Sequence, residues 1–258
     1  MLATALDADT APAVLVTGGA KRVGRAVCLD LARRGWRVAV HANTSLDAAQ
    51  QLAGDINDAG GEAIALGADL RDEGAARSVV DRAARHFERL DGLVNSAAVW
   101  SPAPLDAVGA DDLRRFFDVN VVGSFVCSQQ AGLIMAEQAS GGAIINFGDA
   151  AAQRPQAEYA AYHPSKGAID VMTRSLAVEL AGRNRRVRVN AVLPGPVLVD
   201  GDEPAERVRQ VTTGPLLSEP GHADHLAHAV AFLLENPFVT GVCLPVEGGR
   251  RLAGGWQS

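Results

Sequence analysis

The sequence has few cysteines, few aromatic residues and no excess of positive charge. Only three of its 258 residues are cysteines and 5% are aromatic, and 24 basic residues stand against 30 acidic ones. Cys28, Cys127 and Cys243 lie far apart, with no C-x-x-C pair, which argues against a disulfide framework or a zinc site. The net charge of −6, with both signs interspersed, argues against a nucleic-acid or a membrane surface as partner.

The chain also lacks the apolar segments that bring proteins into membranes. No apolar run approaches the roughly 18 residues that a membrane span needs. Its first twelve residues have neither the basic n-region nor the apolar h-region of a signal peptide. We therefore expect a cytoplasmic protein with a flexible N-terminal segment over 1–12. Because 48% of the chain is hydrophobic, residues 13–258 can form the core of a single domain, which excludes disorder as the main state.

Lysine and tyrosine are both scarce. Lys21 and Lys166 are the only lysines beside 22 arginines, and Tyr159 and Tyr162 are the only tyrosines. A chain that favours arginine this strongly tends to use it wherever any positive charge suffices. Since lysine and arginine are not interchangeable at shaped sites, both lysines are candidates for chemical roles.

Short β-rich runs alternate with longer amphipathic stretches along the chain. The pattern predicts strands at 13–17, 36–42, 62–66, 92–97, 143–147, 187–193 and 239–246. Between them it predicts helices from the first turn to about residue 34, then at 45–59, 72–89, 105–138, 158–181, 204–211 and 223–234. Such βα units predict a single-domain, Rossmann-type α/β fold, a doubly wound parallel sheet with helices on both faces. The polar stretch 197–219 breaks this rhythm, as a substrate loop or a surface excursion would.

A glycine-rich turn follows the first predicted strand. It reads Thr17-Gly18-Gly19-Ala20-Lys21-Arg22-Val23-Gly24. Gly18 and Gly24 let the backbone approach a pyrophosphate at a helix N-terminus, where amide groups and the helix dipole favour anions. Such a turn also serves plain packing, but its position between a strand and a helix predicts nucleotide binding.

The end of the second predicted strand indicates which dinucleotide binds. An NAD site needs an acidic residue there for the ribose 2′-hydroxyl. This chain instead has His41-Ala42-Asn43-Thr44-Ser45, with no carboxylate until Asp47. Lys21 and Arg22 in the neighbouring loop offer positive charge and several donors to a 2′-phosphate. We predict NADP(H) as the cofactor; the alternative is that both cations are solvated surface groups.

Tyr162 and Lys166 lie four residues apart in a predicted helix and therefore share a face. A phenol has an ordinary pKa near ~10, too high for easy proton exchange at neutral pH. A neighbouring ammonium favours the phenolate, so we expect Lys166 to lower the pKa of Tyr162. The pair is a candidate general acid. Tyr159 has no lysine four residues on, and we expect it in the wall or core.

These features together resemble the short-chain dehydrogenase/reductase family from about Ala13 to Arg250. The family's motifs are matched, in order, by the turn Thr17–Gly24, by Asp69 in GADL, by Asn95-Ser96-Ala97-Ala98, by Asn120 in DVNVVG, by Tyr162 with Lys166, and by Pro194-Gly195. The resemblance implies that Asp69 contacts the adenine, that Lys166 holds the ribose, and that Asn120 supports a water relay behind Lys166. It also implies a homotetramer.

The predicted cofactor contacts come from both the residue patterns and the family resemblance. They are Thr17, Gly18, Lys21, Arg22, Val23, Gly24, His41, Asn43, Ser45, Asp69, Leu70, Asn95, Ala97, Tyr162, Lys166, Pro194 and Gly195.

Departures from the family pattern narrow the resemblance. Arg22 occupies a position that is usually glycine, and Ser96 replaces the second asparagine of its turn. Asp149 stands thirteen residues before the catalytic tyrosine, where the family has a serine. Taken together, Arg22, His41, Asp149 and Trp100 resemble the pattern of pteridine reductases and dihydromonapterin reductase-like proteins. The tail FVTGVCLPVEGGRRL is similar to that group as well.

The replacement of serine by Asp149 points to a particular reaction. A ketone needs a hydroxyl donor to its oxygen, whereas reduction of a pterin C=N bond needs a proton on nitrogen. A carboxyl beside a phenol can relay that proton, and Trp100 offers a flat face on which a pterin can stack. We therefore predict NADPH-dependent reduction of a pteridine-type C=N bond, as in a dihydropterin or dihydrofolate. The predicted catalytic residues are Asp149, Tyr162, Lys166 and Asn120, and the predicted substrate contacts are Trp100, Asp149 and Tyr162.

Other interpretations stay open at this point. One is a carbonyl reductase of the same family, acting on a ketone or 3-oxoacyl thioester, with Asp149 in the place of serine. Another is an NADPH-binding sensor with little turnover, and Trp100 is then an ordinary wall residue. A metal site at His222, His225 and His228 is not expected, because on a helix the outer two lie about 240° apart.

Overall fold

The computed structural model describes residues 11–198 and 204–253. Most of the segment predicted as flexible, at 1–10, lies outside the described residues, as do 199–203 of the predicted substrate loop and 254–258 at the C-terminus.

Seven parallel strands form one sheet. They are β1 (Ala13–Thr17), β2 (Arg37–Ala42), β3 (Ala63–Gly67), β4 (Gly92–Asn95), β5 (Gly142–Phe147), β6 (Val187–Pro194) and β7 (Cys243–Val246). Their order is β3-β2-β1-β4-β5-β6-β7, and each neighbouring pair is parallel. The chain runs outward from β1 to one edge and from β4 to the other, so the winding direction reverses between them. The predicted doubly wound α/β fold is therefore confirmed.

Helices cover both faces of this sheet. The described residues form α1 (Arg22–Arg33), α2 (Leu46–Asp58), α3 (Glu73–Phe87), α4 (Ala110–Phe117), α5 (Ser124–Glu137), α6 (Tyr162–Arg183), α7 (Ala205–Thr212) and α8 (Ala223–Glu235). One apolar cluster packs α1, α2 and α8 on the first face, and a second packs α3, α5 and α6 on the other. Because both faces are covered, the central strands are almost wholly apolar, as buried parallel strands are.

Two predicted helices have different boundaries in the structure. The helix predicted at 105–138 is a short 3₁₀ turn, then α4, a wide π-type turn at Asp118–Gly123, and α5. The helix predicted from residue 158 begins only at Tyr162, because Glu158 has a φ of +70°, a left-handed conformation that ends any helical turn. Tyr162 and Lys166 still share the first turns of α6.

The last strand is shorter than predicted. Gly241 has a φ of +74°, and regular pairing with β6 starts only at Cys243. Because β7 is an edge strand, Pro245 is tolerated there although it cannot donate to a ladder.

The helical run Ala110–Glu137 is long and apolar enough to cross a membrane by composition, with a mean hydropathy of 1.3 in its most apolar window. Half of that window is buried inside the domain, however, where α5 packs against α3 and the sheet. Such burial is typical of a core helix in a globular domain.

Candidate active site

One large cavity lies at the carboxyl ends of the strands, across the point where the winding reverses. In doubly wound sheets this edge carries the ligand site. The cavity has a volume of about 1560 Å³. It is lined by most of the predicted cofactor residues, namely Gly18, Lys21, Arg22, Val23, Gly24, His41, Asn43, Ser45, Asp69, Leu70, Ala97, Tyr162, Lys166, Pro194 and Gly195. The predicted substrate contacts Trp100 and Asp149 line it as well.

Two predicted cofactor residues, Thr17 and Asn95, lie behind this lining. The Oγ1 atom of Thr17 accepts a hydrogen bond from the amide of Ala97 at 3.2 Å. The Nδ2 atom of Asn95 donates to Ser128 Oγ at 2.8 Å and to Asn146 Oδ1 at 2.9 Å, inside the core. Both side chains are buried and support the strand ends beneath the cavity.

The glycine-rich turn has the shape that phosphate binding requires. Gly18 has a φ of +63°, and a Cβ atom there would lie 2.8 Å from Ala97 Cα. A Cβ atom at Gly24 would overlap the carbonyl oxygen of Gly18. Without these side chains the backbone comes close to the cavity at the N-terminus of α1, where amides and the dipole favour anions. The residues present therefore fit a nicotinamide dinucleotide.

The surroundings of this turn lack the acidic residue of an NAD site. Asn43, Thr44 and Ser45 line the cavity after β2, whereas Asp47 lies in the first turn of α2 and is not among the lining residues. Lys21 and Arg22 are exposed in the cavity. Among the described residues, neither is within ion-pair distance of a carboxylate.

Asp69 and its ion-pair partner Arg71 both line the cavity. Its carboxylate forms an ion pair with Arg71 at 2.5 Å, and hydrogen bonds from Arg71 hold the pKa of Asp69 below its usual value. Asp69 is thus a charged hydrogen-bond acceptor on the cofactor side of the cavity.

His41 has an internal role that the sequence did not indicate. Its Nδ1 atom accepts from the Gly18 amide at 3.2 Å, and its Nε2 atom lies 3.1 Å from the Ala68 carbonyl oxygen, to which it donates. These partners fix the neutral tautomer with its proton on Nε2. Burial lowers the pKa of His41, which also favours the neutral ring. The ring therefore holds the glycine turn, and neither nitrogen atom is left for a ligand.

We expect the free energy of unfolding to depend on His41 below neutral pH. Because the pKa in the folded state lies below the usual value near ~6.5, the unfolded chain takes up the proton first, and stability falls as the pH drops through that value and then through the folded pKa. His41→Asn places an amide oxygen near the position of Nδ1 and cannot titrate. Urea unfolding at about pH 8 and about pH 5 should show a smaller loss of stability for His41→Asn than for the wild type. Equal losses would contradict this role of His41.

Asp149, Tyr162 and Lys166 meet where β5 ends and α6 begins. Tyr162 Oη donates to Asp149 Oδ2 at 2.9 Å. The other oxygen of Asp149 accepts from the Ala151 amide at 2.7 Å, where Asp149 caps a short 3₁₀ turn. Lys166 Nζ is buried and donates to the Phe147 carbonyl oxygen at 2.8 Å. The predicted pair of phenol and carboxyl is therefore in direct contact.

The electrostatics of Tyr162 differ from the expectation. Burial raises the pKa of Tyr162, and the Asp149 carboxylate raises it further. Burial lowers the pKa of Lys166 to about 8, which Asp149 opposes. The expected lowering of the Tyr162 pKa by Lys166 is wrong here, because the ammonium is bound to a carbonyl while the phenol faces a carboxylate. Tyr162 is held as a protonated donor.

Asn120 joins α6, the helix that carries Tyr162 and Lys166, to the loop that follows β4. Its Oδ1 accepts from the Val99 amide at 2.9 Å, and its Nδ2 donates to the Val99 carbonyl at 3.0 Å and to Ser165 Oγ at 3.1 Å. Ser165 Oγ in turn donates to the Tyr162 carbonyl at 2.7 Å. Both polar atoms of the side chain are used in these bonds, so it braces the loop that carries Trp100. A water relay would have to use other atoms of Asn120.

Aromatic rings form one wall of the cavity beside Tyr162. Trp100 is 55% exposed and stacks on Tyr159, with ring centroids 6.4 Å apart and planes 27° apart. Tyr159 packs against Tyr162 at 6.0 Å, which confirms its expected place in the wall. His163 lies against both tyrosines, at 5.4 and 5.6 Å.

The sequence did not single out several residues that line the same cavity. They are His163, Arg71, Arg115, Arg154, Glu247, Arg250 and Arg251. His163 lies between Tyr162 and Lys166, and Glu247, Arg250 and Arg251 lie in the tail, but no motif in the sequence assigns any of the seven to this cavity. The histidines of α8 lie elsewhere: the His225 ring accepts from the His222 amide at 3.1 Å and caps the helix. The part of the chain that the structure describes contains no group of three residues able to hold a metal.

Known proteins resemble this chain over nearly its whole length. Residues 12–209 match the family model described as short chain dehydrogenase. The chain is 36% identical over 246 residues to an uncharacterized oxidoreductase, YgfF, of Escherichia coli (strain K12), covering 92% of this chain and 98% of that protein. It is 33% identical over 237 residues to a human 3-oxoacyl-[acyl-carrier-protein] reductase, covering 92% and 97%. Neither relative is named as a pteridine reductase.

Solved structures give the same result. A blue fluorescent protein from a metagenomic library, in complex with NADPH, has a TM-score of 0.83 and 32% identity, covering 93% of this chain and 97% of that one. A short-chain dehydrogenase/reductase from Serratia marcescens BCRC 10948 has a TM-score of 0.85 and 33% identity, with the same coverage of 93% and 97%. With the turn, the Tyr162/Lys166 pair and the sheet order described above, this chain belongs to the short-chain dehydrogenase/reductase family of NAD(P)-dependent oxidoreductases.

Proposed function

We propose that the chain is an NADPH-dependent reductase of pteridine-type C=N bonds in which Tyr162 and Asp149 deliver the proton. The observation that carries this proposal is the 2.9 Å hydrogen bond from Tyr162 Oη to Asp149 Oδ2 in the wall of the cavity. A bound dinucleotide would supply the hydride. The residues of this chain supply the proton, the binding surface and the positioning of the substrate.

The contact between phenol and carboxyl explains how a proton can leave Tyr162. A phenolate next to a carboxylate would place two negative charges in contact, which raises the pKa of Tyr162 and opposes donation. If Asp149 carries a proton, it passes that proton to Tyr162 as Tyr162 gives its own to the substrate nitrogen. One proton enters the product, and Asp149 is left as the carboxylate, to be protonated again from water.

Lys166 supports this step from behind. Its ammonium lies in the same buried corner and attracts the Asp149 carboxylate, so it favours the charge that remains after proton transfer. The hydrogen bond to the Phe147 carbonyl orients it at the end of β5. In this orientation we expect its remaining donors to hold the ribose of the cofactor.

The preference for NADPH rests on the charges beside the glycine turn. Lys21 and Arg22 are exposed cations in the cavity, and no carboxylate lines the stretch after β2. A guanidinium binds phosphate with several hydrogen bonds. The complex of a structural neighbour with NADPH supports the same choice.

Arg22→Gly should raise KM for NADPH by at least about tenfold and leave KM for NADH nearly unchanged, since about 1.4 kcal/mol of phosphate binding corresponds to that factor. Arg22 has a φ of +53°, a conformation that suits glycine better. The relief of this strain and the greater flexibility of the unfolded chain offset each other, so the unfolding free energy should change by less than about 1 kcal/mol. Steady-state kinetics with both cofactors measure the effect, and equal changes in both KM values would refute the phosphate assignment.

A second candidate is reduction of a ketone or a 3-oxoacyl thioester, which the name of the human relative favours. In that reaction Asp149 would position the substrate and carry no proton. NADPH oxidation with dihydrobiopterin, dihydrofolate, simple ketones and a 3-oxoacyl thioester separates the two candidates. We expect the highest kcat/KM with a pterin, and a higher value with any carbonyl compound would overturn the proposal.

The homotetramer implied by the family resemblance is part of the same proposal. Apolar side chains are exposed along the helices on one side of the sheet, including Phe125 on α5 and Val171 and Val178 on α6. Exposed apolar faces of this kind are typical of subunit interfaces. Light scattering during size-exclusion chromatography measures the mass of the assembly directly.

A further inference from the structure

The cavity concentrates positive charge in an acidic protein. Eight basic and three acidic residues line it among the described residues, whereas the whole chain has 24 basic and 30 acidic residues. Lys21, Arg22 and Arg71 line the part of the cavity with the predicted cofactor contacts. Lys166 lies near Asp149 and Tyr162. The remaining four are Arg115, Arg154, Arg250 and Arg251. None of these four belongs to the glycine-rich turn or to the predicted cofactor contacts.

Arg154 extends from the turn that Asp149 begins. That 3₁₀ turn spans Ala150–Gln153, and Arg154 ends it. The guanidinium is exposed and donates to the carbonyl oxygen of Arg250 at 3.1 Å, which orients it along the mouth of the cavity. A carbonyl carries no net charge, so this hydrogen bond orients the cation and does not neutralise it.

Arg115 lines the same cavity from α4. It donates to Ser101 Oγ at 3.0 Å, next to Trp100, and its guanidinium lies 5.0 Å from the centroid of the Phe116 ring. The Phe116 ring packs edge-on against Tyr162 at 5.9 Å. Arg115 is therefore held close to both the aromatic wall and the proton donor.

Arg251 also lines the cavity, but it has a carboxylate partner. Its guanidinium lies 3.8 Å from the nearly buried carboxylate of Glu247, which offsets its charge. No such partner is present for Arg115 or Arg154 among the described residues. Two oriented, uncompensated guanidiniums beside an apolar wall favour an anion that offers paired oxygen atoms.

We infer that Arg115 and Arg154 form a subsite for an anionic group of the substrate, a carboxylate or a phosphate remote from the bond that is reduced. The inference rests on the proposed function in so far as the substrate reacts beside Tyr162. The substrate is then an aromatic or heterocyclic compound with an acidic tail, whose ring packs on the wall of Trp100 and Tyr159 while the tail binds the two arginines.

A matched pair of pterins tests this charge preference. Dihydrofolate carries carboxylates on its tail, whereas the side chain of dihydrobiopterin is uncharged. We expect kcat/KM for dihydrofolate to exceed that for dihydrobiopterin by about tenfold, the equivalent of about 1.4 kcal/mol. The double variant Arg115→Gln/Arg154→Gln should abolish most of that ratio. Arg114→Gln is the control, because Arg114 pairs with Asp111 outside the cavity and should leave the ratio unchanged.

A binding measurement keeps the subsite separate from the reaction. With NADP⁺ bound, 2-naphthoate, 2-naphthyl phosphate and the neutral 2-naphthamide are titrated while tryptophan fluorescence is followed. The wild type should bind at least one of the anions about tenfold more tightly than the amide, and the more tightly bound anion identifies carboxylate or phosphate as the native group. The double variant should lose the preference.

The two tests fail in different ways. Equal affinity of the wild type for the amide and both anions, or a preference that persists in the double variant, would overturn the subsite. A lost preference in the double variant, together with no reduction of any pterin, would leave the subsite in place and overturn only the proposed reaction.

Discussion

Tyr162→Phe is expected to lower kcat by roughly 10²-fold or more, the range of general acid catalysis. The substitution keeps the ring, with its edge contact to Phe116 at 5.9 Å, and removes only the hydroxyl that faces Asp149. Because phenylalanine keeps the ring that lines the cavity and loses only the hydroxyl, the affinity for NADPH should hardly change. Steady-state rates with dihydrobiopterin and a fluorescence titration with NADPH measure the two quantities in one preparation.

A normal rate in Tyr162→Phe would mean that another group donates the proton. His163 is a titratable side chain that packs directly on the Tyr162 ring, at 5.6 Å, and burial lowers its pKa. His163→Asn is therefore the matched control. We expect it to retain more than about a tenth of the wild-type kcat, because no hydrogen bond joins His163 to Asp149 or Tyr162 among the described residues.

Asp149→Asn should reduce pterin turnover by about 10²-fold although it hardly changes the shape of the side chain. The amide oxygen can still accept from the Ala151 amide, so the cap of the 3₁₀ turn is retained. The amide nitrogen, however, would face Tyr162 Oη and cannot supply a proton as the phenol loses its own. Single-turnover oxidation of NADPH with dihydrobiopterin measures this step without interference from product release.

Asp149→Ser completes the comparison. It restores the residue that the family commonly has at this position and removes the carboxyl. We expect pterin reduction to fall as steeply as in Asp149→Asn, while any carbonyl reduction is kept or improved. If pterin turnover survives Asp149→Asn within a few-fold, Asp149 only positions the substrate, and the second candidate function takes precedence.

The parts of this molecule that could be predicted from the sequence are those with local signals. Strand and helix periodicity, the glycines of the first turn and the spacing of Tyr162 and Lys166 each report on neighbours along the chain. The structure places these elements as predicted and brings Asp149 to Tyr162. The family's motifs made that meeting predictable although thirteen residues separate the two.

What could not be predicted depends on contacts between distant segments. The sign of the Tyr162 pKa shift follows first from burial and then from the Asp149 carboxylate. No pattern in the sequence indicates this burial, or the bond of Lys166 to the Phe147 carbonyl. The bonds of His41 to Gly18 and Ala68 likewise need the packed sheet. Individual helix boundaries also shifted where the backbone turns left-handed, as it does before α6.

That Arg115 and Arg154 share a cavity could not be predicted from the sequence either. Arg115 lies on α4 and Arg154 lies after β5, and in the sequence each is one arginine among 22. Only the fold brings them into one cavity, and among the described residues neither is within ion-pair distance of a carboxylate.

The pH dependence of hydride transfer in the wild type and in Asp149→Asn tests the central claim most directly. If Asp149 passes a proton to Tyr162, replacing its carboxyl with an amide, which cannot give up a proton, must change the pH profile of the single-turnover rate. Burial lowers the pKa of Lys166 to about 8. Any change in rate caused by titration of Lys166 would appear in both proteins and would therefore not distinguish them. We predict a lower rate in the variant and a pH profile whose shape differs from that of the wild type over the same range. Identical pH profiles in the two proteins would contradict the proton relay.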